Sequence, residues 1–359
     1  MTPDVLVVGA GPAGALAALA AARAGARVTV AERATFPRPK VCGSCLSEAG
    51  IGALRGCGAM DALAGAVRLR AVRLVADGRE LAIARDAGVA VGREALDARL
   101  AAIARDAGAE VRFGVGARAW PDGSWTVGDE RIAPGCTVVA DGLAGRSLDA
   151  IDGFGWRVRP ASRMGLGAVL APGSVRCTEG EVRMHVARDG YVGAVALPDG
   201  TIDVAAAADP AAVRAAGGPG SFALAALGPA VTDRAAFLGA DWRGTPTLTR
   251  SRARLASARI LVAGDAAGYV EPFTGEGMGW AMATGAAAGA LAARVVRGAG
   301  ACDEWPRIHA SLVRRSRVRC RAFALALRSP AAVKAAISAG SMAPALARRV
   351  ARSVGSSAS

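Results

Sequence analysis

Three glycines and one acid carry the first recognisable chemistry. Gly9, Gly11 and Gly14 keep G-x-G-x-x-G spacing inside Val5-Leu6-Val7-Val8-Gly9-Ala10-Gly11-Pro12-Ala13-Gly14, and Glu32 closes a second apolar run, Val28-Thr29-Val30-Ala31. Gly9 permits a tight turn, Gly11 lets backbone approach a pyrophosphate, and Gly14 lets a helix pack on a strand. Pro12 and Ala13 open that helix, whose free N–H groups and dipole favour phosphate. Glu32, followed by Arg33, stands where ribose hydroxyls can donate to it. Alone, this motif says dinucleotide and does not say which one.

Cysteines and two further acids carry the rest. Cys42-Gly43-Ser44-Cys45 has the spacing of a redox pair or half a zinc site, but no second pair and no nearby histidine completes it. His185 and His309 are the only histidines, so neither a metal site nor a histidine triad is expected. Asp141 and Gly142 follow the apolar run Thr137-Val138-Val139-Ala140. Asp265 follows Ile260-Leu261-Val262-Ala263-Gly264, and Pro272-Phe273-Thr274-Gly275-Glu276-Gly277-Met278 comes soon after.

The elements that position these residues are legible in outline. Residues 1–32 form a strand–helix–strand unit, and an amphipathic helix opens at Arg93 and ends near Ala107. Strands are expected at Glu110 to Phe113, Ser124 to Val127, Thr137 to Ala140 and Ile260 to Val262. Two strands flank the Asp77-Gly78 turn. Turns at Asp189-Gly190 and Asp199-Gly200 divide residues 155–250 into an antiparallel sheet. A long Ala/Gly-rich helix follows Gly277. An arginine-rich helical region begins at Trp305.

Composition excludes several classes. The chain has 359 residues, enough for one large or two modest cores, with 52% hydrophobic and only 4% aromatic residues. Its net charge is +14, almost all from scattered arginine, since Lys40 and Lys334 are the only lysines. No aromatic-interleaved basic stripe is present, so nucleic acid is not an expected partner. Seven irregularly spaced cysteines, with Asp4 and no basic residue before the first apolar run, read as free thiols in a reducing, cytoplasmic compartment. The Gly/Ala-rich run after Glu276 suits a tightly packed core helix better than a membrane span. The basic region from Arg307 to Arg352 is open to peripheral contact with an anionic membrane, a solvated helix with a buried face being the plainer reading.

Taken together, Gly9 to Gly14 with Glu32, Asp141-Gly142, Gly264-Asp265 and Pro272 to Met278 resemble the FAD-dependent oxidoreductases of the para-hydroxybenzoate hydroxylase fold. Pro37-Arg38-Pro39-Lys40-Val41-Cys42-Gly43 is similar to a segment of their geranylgeranyl reductase branch. The resemblance implies an α/β, three-layer Rossmann-like FAD domain (1–66, 91–154, 251–300). It further implies an inserted antiparallel β-sheet substrate domain (67–90, 155–250) and a C-terminal helical region (301–359). It assigns Asp265 to the ribityl chain, Pro272, Gly275, Gly277 and Met278 to the flavin edge, and Arg93 to the phosphate and ribityl side. It assigns Asp141 and Gly142 to the turn that supports FAD, Lys40 to phosphate or flavin, and Cys42 to the flavin face or to proton donation.

The expected activity is an NAD(P)H-linked flavin monooxygenase acting on a hydrophobic polyketide- or lipid-like molecule. The alternative is a geranylgeranyl reductase-type alkene reductase. Prenyl reductases carry a strand of the type Tyr-x-Trp-x-Phe-Pro; here it reads Tyr191-Val192-Gly193-Ala194-Val195-Ala196-Leu197-Pro198, with small residues for the Trp and Phe. That departure favours rings over prenyl chains.

Overall fold

The computed structural model describes residues 2–85, 87–271, 273 and 275–342. The first strand, Val5–Val8, is apolar at every position and wholly buried, as a strand covered on both faces must be. It leads through Gly9 into helix α1 (Pro12–Arg23), with proline in the first turn, where its missing N–H costs nothing. Val28–Glu32 returns parallel to it. The sheet then runs, in order, Ala256–Ser257, Ile260–Val262, Cys136–Val139, Val5–Val8, Val28–Glu32 and Glu110–Phe113. All its pairings are parallel except that of the short edge strand Ala256–Ser257. Helices α2 (Glu48–Gly56) and α3 (Arg93–Asp106) belong to this half, and α3 packs on α1.

The second half is a seven-stranded sheet ordered Arg243–Thr247, Met164–Leu170, Ile202–Ala208, Gly190–Ala196, Glu181–Ala187, Ala71–Ala76 and Arg79–Ala84. The Asp77-Gly78 hairpin and the turns near residues 189 and 199 form as the sequence suggests. Three helices were not foreseen within residues 155–250: α4 (Pro210–Ala215), α5 (Pro219–Leu227) and α6 (Arg234–Leu238). They cover one face of the sheet, where Leu166, Val192, Val204, Phe222 and Phe237 make one buried cluster. The opposite face is met at its outer edge by the helix Pro330–Met342, where Val333 and Ile337 pack on Ala76 and Leu81.

Register defines that other face. Val195 pairs with Asp203, Gly193 with Ala205 and Tyr191 with Ala207. Val182 pairs with Val195 and Met184 with Gly193, while Val72 pairs with Val182. Because side chains alternate along a strand, these residues share one side.

Helix α7 (Gly277–Val296) carries the connection back. A Cβ at Gly285 or Gly289 would stand 2.0 Å from the carbonyl oxygen of Ala13 or Ala17, so α7 and α1 touch backbone to backbone. The long helix α8 (Trp305–Ala326) and α9 (Pro330–Met342) follow. Trp305 is fully buried and its indole N–H donates to the Val262 carbonyl at 2.9 Å, anchoring α8 under the parallel sheet. Among the described residues no single helix is long and apolar enough to cross a membrane.

Candidate active site

The site forms at the carboxyl ends of the central parallel strands, where such sheets bind ligands. Gly9 has φ +95°, and a Cβ there would lie 2.6 Å from the Ala140 carbonyl oxygen. The turn therefore accepts no side chain. A Cβ at Gly14 would lie 1.8 Å from the carbonyl oxygen of Gly9, which fixes the start of α1 against the turn. Glu32, 5% exposed, accepts from the backbone N–H of Ala10 at 2.8 Å and of Ala34 at 2.9 Å. The acid thus braces the glycine turn while it faces the cavity.

A second set of charges surrounds it. Arg93, on the first turn of α3, donates to both carboxylate oxygens of Asp97 at 3.0 and 2.8 Å. Arg38 reaches Asp97 at 3.6 Å and Glu32 at 3.8 Å, and its guanidinium lies 4.8 Å from the centre of the Phe36 ring. One Arg38 nitrogen lies 3.8 Å from where a Cβ on Gly11 would stand, beside the phosphate cradle. Burial pulls Arg93 down, but Asp97 outweighs it and holds the guanidinium firmly charged. Lys40 is pushed below its usual range by desolvation and by Arg93, with Asp265 opposing. Desolvation raises Asp265 in turn, against Lys40 and Arg93.

Two turns are tied together from behind. Asp141 accepts from the Ser147 N–H at 3.0 Å and its hydroxyl at 2.7 Å. Its other oxygen is buried without a partner. The buried guanidinium of Arg252 donates to the carbonyls of Gly145, Phe154 and Ala266 at 3.3, 2.7 and 3.0 Å. The Asp141 and Asp265 turns are thereby one unit.

All of this opens into one cavity of about 790 Å³. Of the residues expected at the site, Gly9, Gly11, Pro12, Ala13, Glu32, Arg33, Lys40, Cys42, Arg93, Asp141, Gly142, Asp265, Gly275, Gly277 and Met278 line it. Gly14 and Gly264 stand behind the wall: a Cβ on Gly264 would meet the Ala13 Cβ at 2.7 Å. Pro272 lies outside the described residues. The sequence reading missed Arg38, Asp97, Ser44 and Asp203. The i, i+4 spacing of Arg93 and Asp97 was a usable signal. So was an acid within the apolar strand Ile202-Asp203-Val204-Ala205.

The remainder of the cavity is the opposite face of the large sheet, with Val182, Met184, Tyr191, Gly193, Val195, Asp203 and Ala205 in its wall, and α9 packs Val333 and Ile337 on Ala76 and Leu81 at the outer edge of that same face. Loop residues 42–45 close the join between the halves. The Cys45 Cβ lies 3.4 Å from a Cβ position on Gly275, and the Ala205 Cβ lies 3.9 Å from one on Gly43. Loss of water contact pushes the Cys42 thiol up and the Cys45 thiol up to about 12. Both are thiols, not thiolates, at neutral pH. Among the described residues no cluster of ligands could hold a metal ion.

Comparison with known proteins agrees with this geometry. An FAD binding domain family model matches residues 2–123. A menaquinone reductase from Mycolicibacterium smegmatis is 28% identical over 339 residues, 85% of this chain and 80% of that protein. A flavoprotein/dehydrogenase from Cytophaga hutchinsonii has a similar structure (TM-score 0.83, 20% identity, 99% of this chain and 93% of that one). So has a p-nitrophenol 4-monooxygenase from Pseudomonas putida (0.79, 16%, 100% and 99%). The chain is an FAD-dependent oxidoreductase with the para-hydroxybenzoate hydroxylase fold. A geranylgeranyl bacteriochlorophyll reductase-like protein from Thermoplasma acidophilum shares the fold of this flavoprotein (TM-score 0.72, 18% identity, 94% and 91%).

The residues present fit FAD. Gly9 and Gly11 leave backbone bare where a pyrophosphate would come close, Glu32 could accept from ribose, and Arg38 and Arg93 would supply cations. The turn at residues 275–278, with Gly275 at φ +74°, gives N–H groups at the N-terminus of α7 for the flavin edge.

Proposed function

We propose that this flavoprotein is a reductase of the geranylgeranyl reductase type, adding hydride and proton to a carbon–carbon double bond in an extended isoprenoid or quinone-like molecule. The observation that carries the reading is the cavity's span. Its lining reaches from Thr245 across the strands holding Gly165, Ala205, Gly193 and Met184 to Val72, six adjacent strands of the sheet. Five intervals at about 4.8 Å make roughly 24 Å of continuous, mostly apolar wall. A compact ring needs far less. The menaquinone reductase relative, matched over most of both chains, supports the same substrate class.

FAD, when bound, supplies the hydride chemistry, and NAD(P)H is the donor we infer for it. The chain's own part is to orient the cofactor through Glu32, Arg93 and Asp265, to keep water from the apolar wall, and to hold protonated groups at residues 42–45. Helix α8 exposes Leu312, Val318 and Leu325. Arg314, Arg315 and Arg321 are exposed beside them. That mixture suits an anionic bilayer from which such a substrate would come.

A second reading, flavin monooxygenation of a ring compound, is favoured by Gly193 and Val195, which widen the cavity where prenyl reductases carry Trp and Phe. Chain-length dependence separates the two. On the reductase reading, kcat/KM rises with isoprenoid length, and Gly193→Phe, placed mid-wall beside the flexible end of Met184, abolishes the gain. Activity independent of chain length would favour the ring reading.

A further inference from the structure

The cavity-facing side of the large sheet is apolar except at two residues, Tyr191 and Asp203, among those whose pairing defines it. Tyr191 is engaged: the Arg163 guanidinium lies 5.9 Å from its ring centre and it meets the Phe273 ring edge-on at 5.0 Å. Asp203 is different. It is 5% exposed, lines the cavity, and has one carboxyl oxygen, Oδ2, without a hydrogen-bond partner among the described residues. An unmet buried acceptor costs about 1–3 kcal/mol, more if charged, so one in a cavity wall calls for an explanation.

Its surroundings are built for it. Ser44, 3% exposed, stands beside the carboxyl from across the cavity join and holds its pKa down. Ser44 holds φ +49°, a conformation that side-chain-bearing residues seldom adopt. The next residue along is not free either: the Cys45 Cβ lies 3.4 Å from a Cβ position on Gly275. The groups facing Asp203 are Ser44, Cys42 and Cys45 from the loop, and Arg93 from α3. Its strand partners, Val195 and Val169, carry no charge.

Resting on the reductase reading above, we propose that the Asp203 carboxyl, buried in the cavity wall beside Ser44, gives the reacting alkene its proton. The hydride brings its electron pair from the reduced cofactor to one carbon. The Asp203 O–H bond breaks, its pair stays on the carboxylate, and the alkene π pair takes the proton at the other carbon. The alkene is reduced, the cofactor is oxidised, and water returns a proton to Asp203. Burial, with Ser44 and Arg93 opposing, pushes Asp203 up to about 7, so the acid form is available where the enzyme must work. The neighbouring thiols hold their protons too tightly to compete.

The test uses FAD-loaded protein and an isoprenoid quinone under anaerobic conditions, with the infrared carboxyl band as a readout independent of turnover. In wild type, that band titrates near pH 7 and kcat falls about tenfold per pH unit above it. Asp203→Asn removes the band and lowers kcat about 100-fold or more, with NAD(P)H-driven flavin bleaching unchanged. Ser44→Gly removes the hydroxyl, relieves the positive φ, and moves band and rate limb together to higher pH, because Ser44 holds the acid down. Asp203→Asn turnover within threefold of wild type, or a band that does not titrate between pH 5 and 9, overturns the proposal. Wild type that reduces no alkene would instead overturn the reductase reading, while the band still reports on Asp203.

Discussion

Arg93 grips both oxygens of Asp97 one helical turn further along α3, and Asp97 is 1% exposed. The pair aims a guanidinium at the cofactor cavity and sets α3 against the glycine turn through Arg38. Removing one partner leaves the other buried and unmatched. Asp97→Asn is expected to lower unfolding free energy by about 3–5 kcal/mol and to weaken FAD retention. Denaturant titration with and without added FAD checks both.

The contact between Gly14 and Gly9 is tighter than any side chain permits. A Cβ 1.8 Å from a carbonyl oxygen forces α1 away from the turn, and α7 is packed backbone to backbone on α1 behind it. Gly14→Ala should cost at least about 3 kcal/mol, the upper range for overpacking. It should yield protein with little bound flavin, read as flavin absorbance per chain. Full flavin occupancy with unchanged melting temperature would show that the turn is not the anchor.

Gly9 and Gly14 were legible because local backbone geometry dictates their type: a turn that excludes Cβ must be glycine wherever the rest of the chain goes. Glu32 followed from its place at the end of the second apolar run, and Asp265 from the family resemblance. Asp203, Ser44 and Arg38 were not legible, because their roles depend on contacts between distant segments. Asp203 faces the cavity through the register Val195 to Asp203, and it meets Ser44 only because residues 42–45 lie over Ala205. Helices α4 to α6 were missed for a related reason. They are short and alanine-rich, and the sheet face they cover, more than their own propensity, holds them in place.

His309 on α8 offers a pH test. It is 3% exposed, its Nε2 lacks a partner among the described residues, and its ring meets Trp305 edge-on at 5.7 Å. Burial, then Arg317, pulls its pKa down from 6.5 to about 3. The folded state therefore holds the neutral ring. Its contribution is complete above pH 6.5 and is lost as pH falls from there toward 3. Relative to His309→Phe, wild type should lose about 1.4 kcal/mol for each pH unit below 6.5. Paired urea titrations at pH 7, 6 and 5 measure that gap, and a constant difference would contradict the neutral assignment.

The reaction itself is decided by one measurement. FAD-loaded enzyme is reduced with NAD(P)H without oxygen, mixed with an isoprenoid quinone, and the product is weighed by mass spectrometry, then again in labelled dioxygen. The reductase reading predicts a product heavier by two hydrogens in both cases, with no label. A product that forms only with oxygen and carries the label would contradict it and make the protein a monooxygenase.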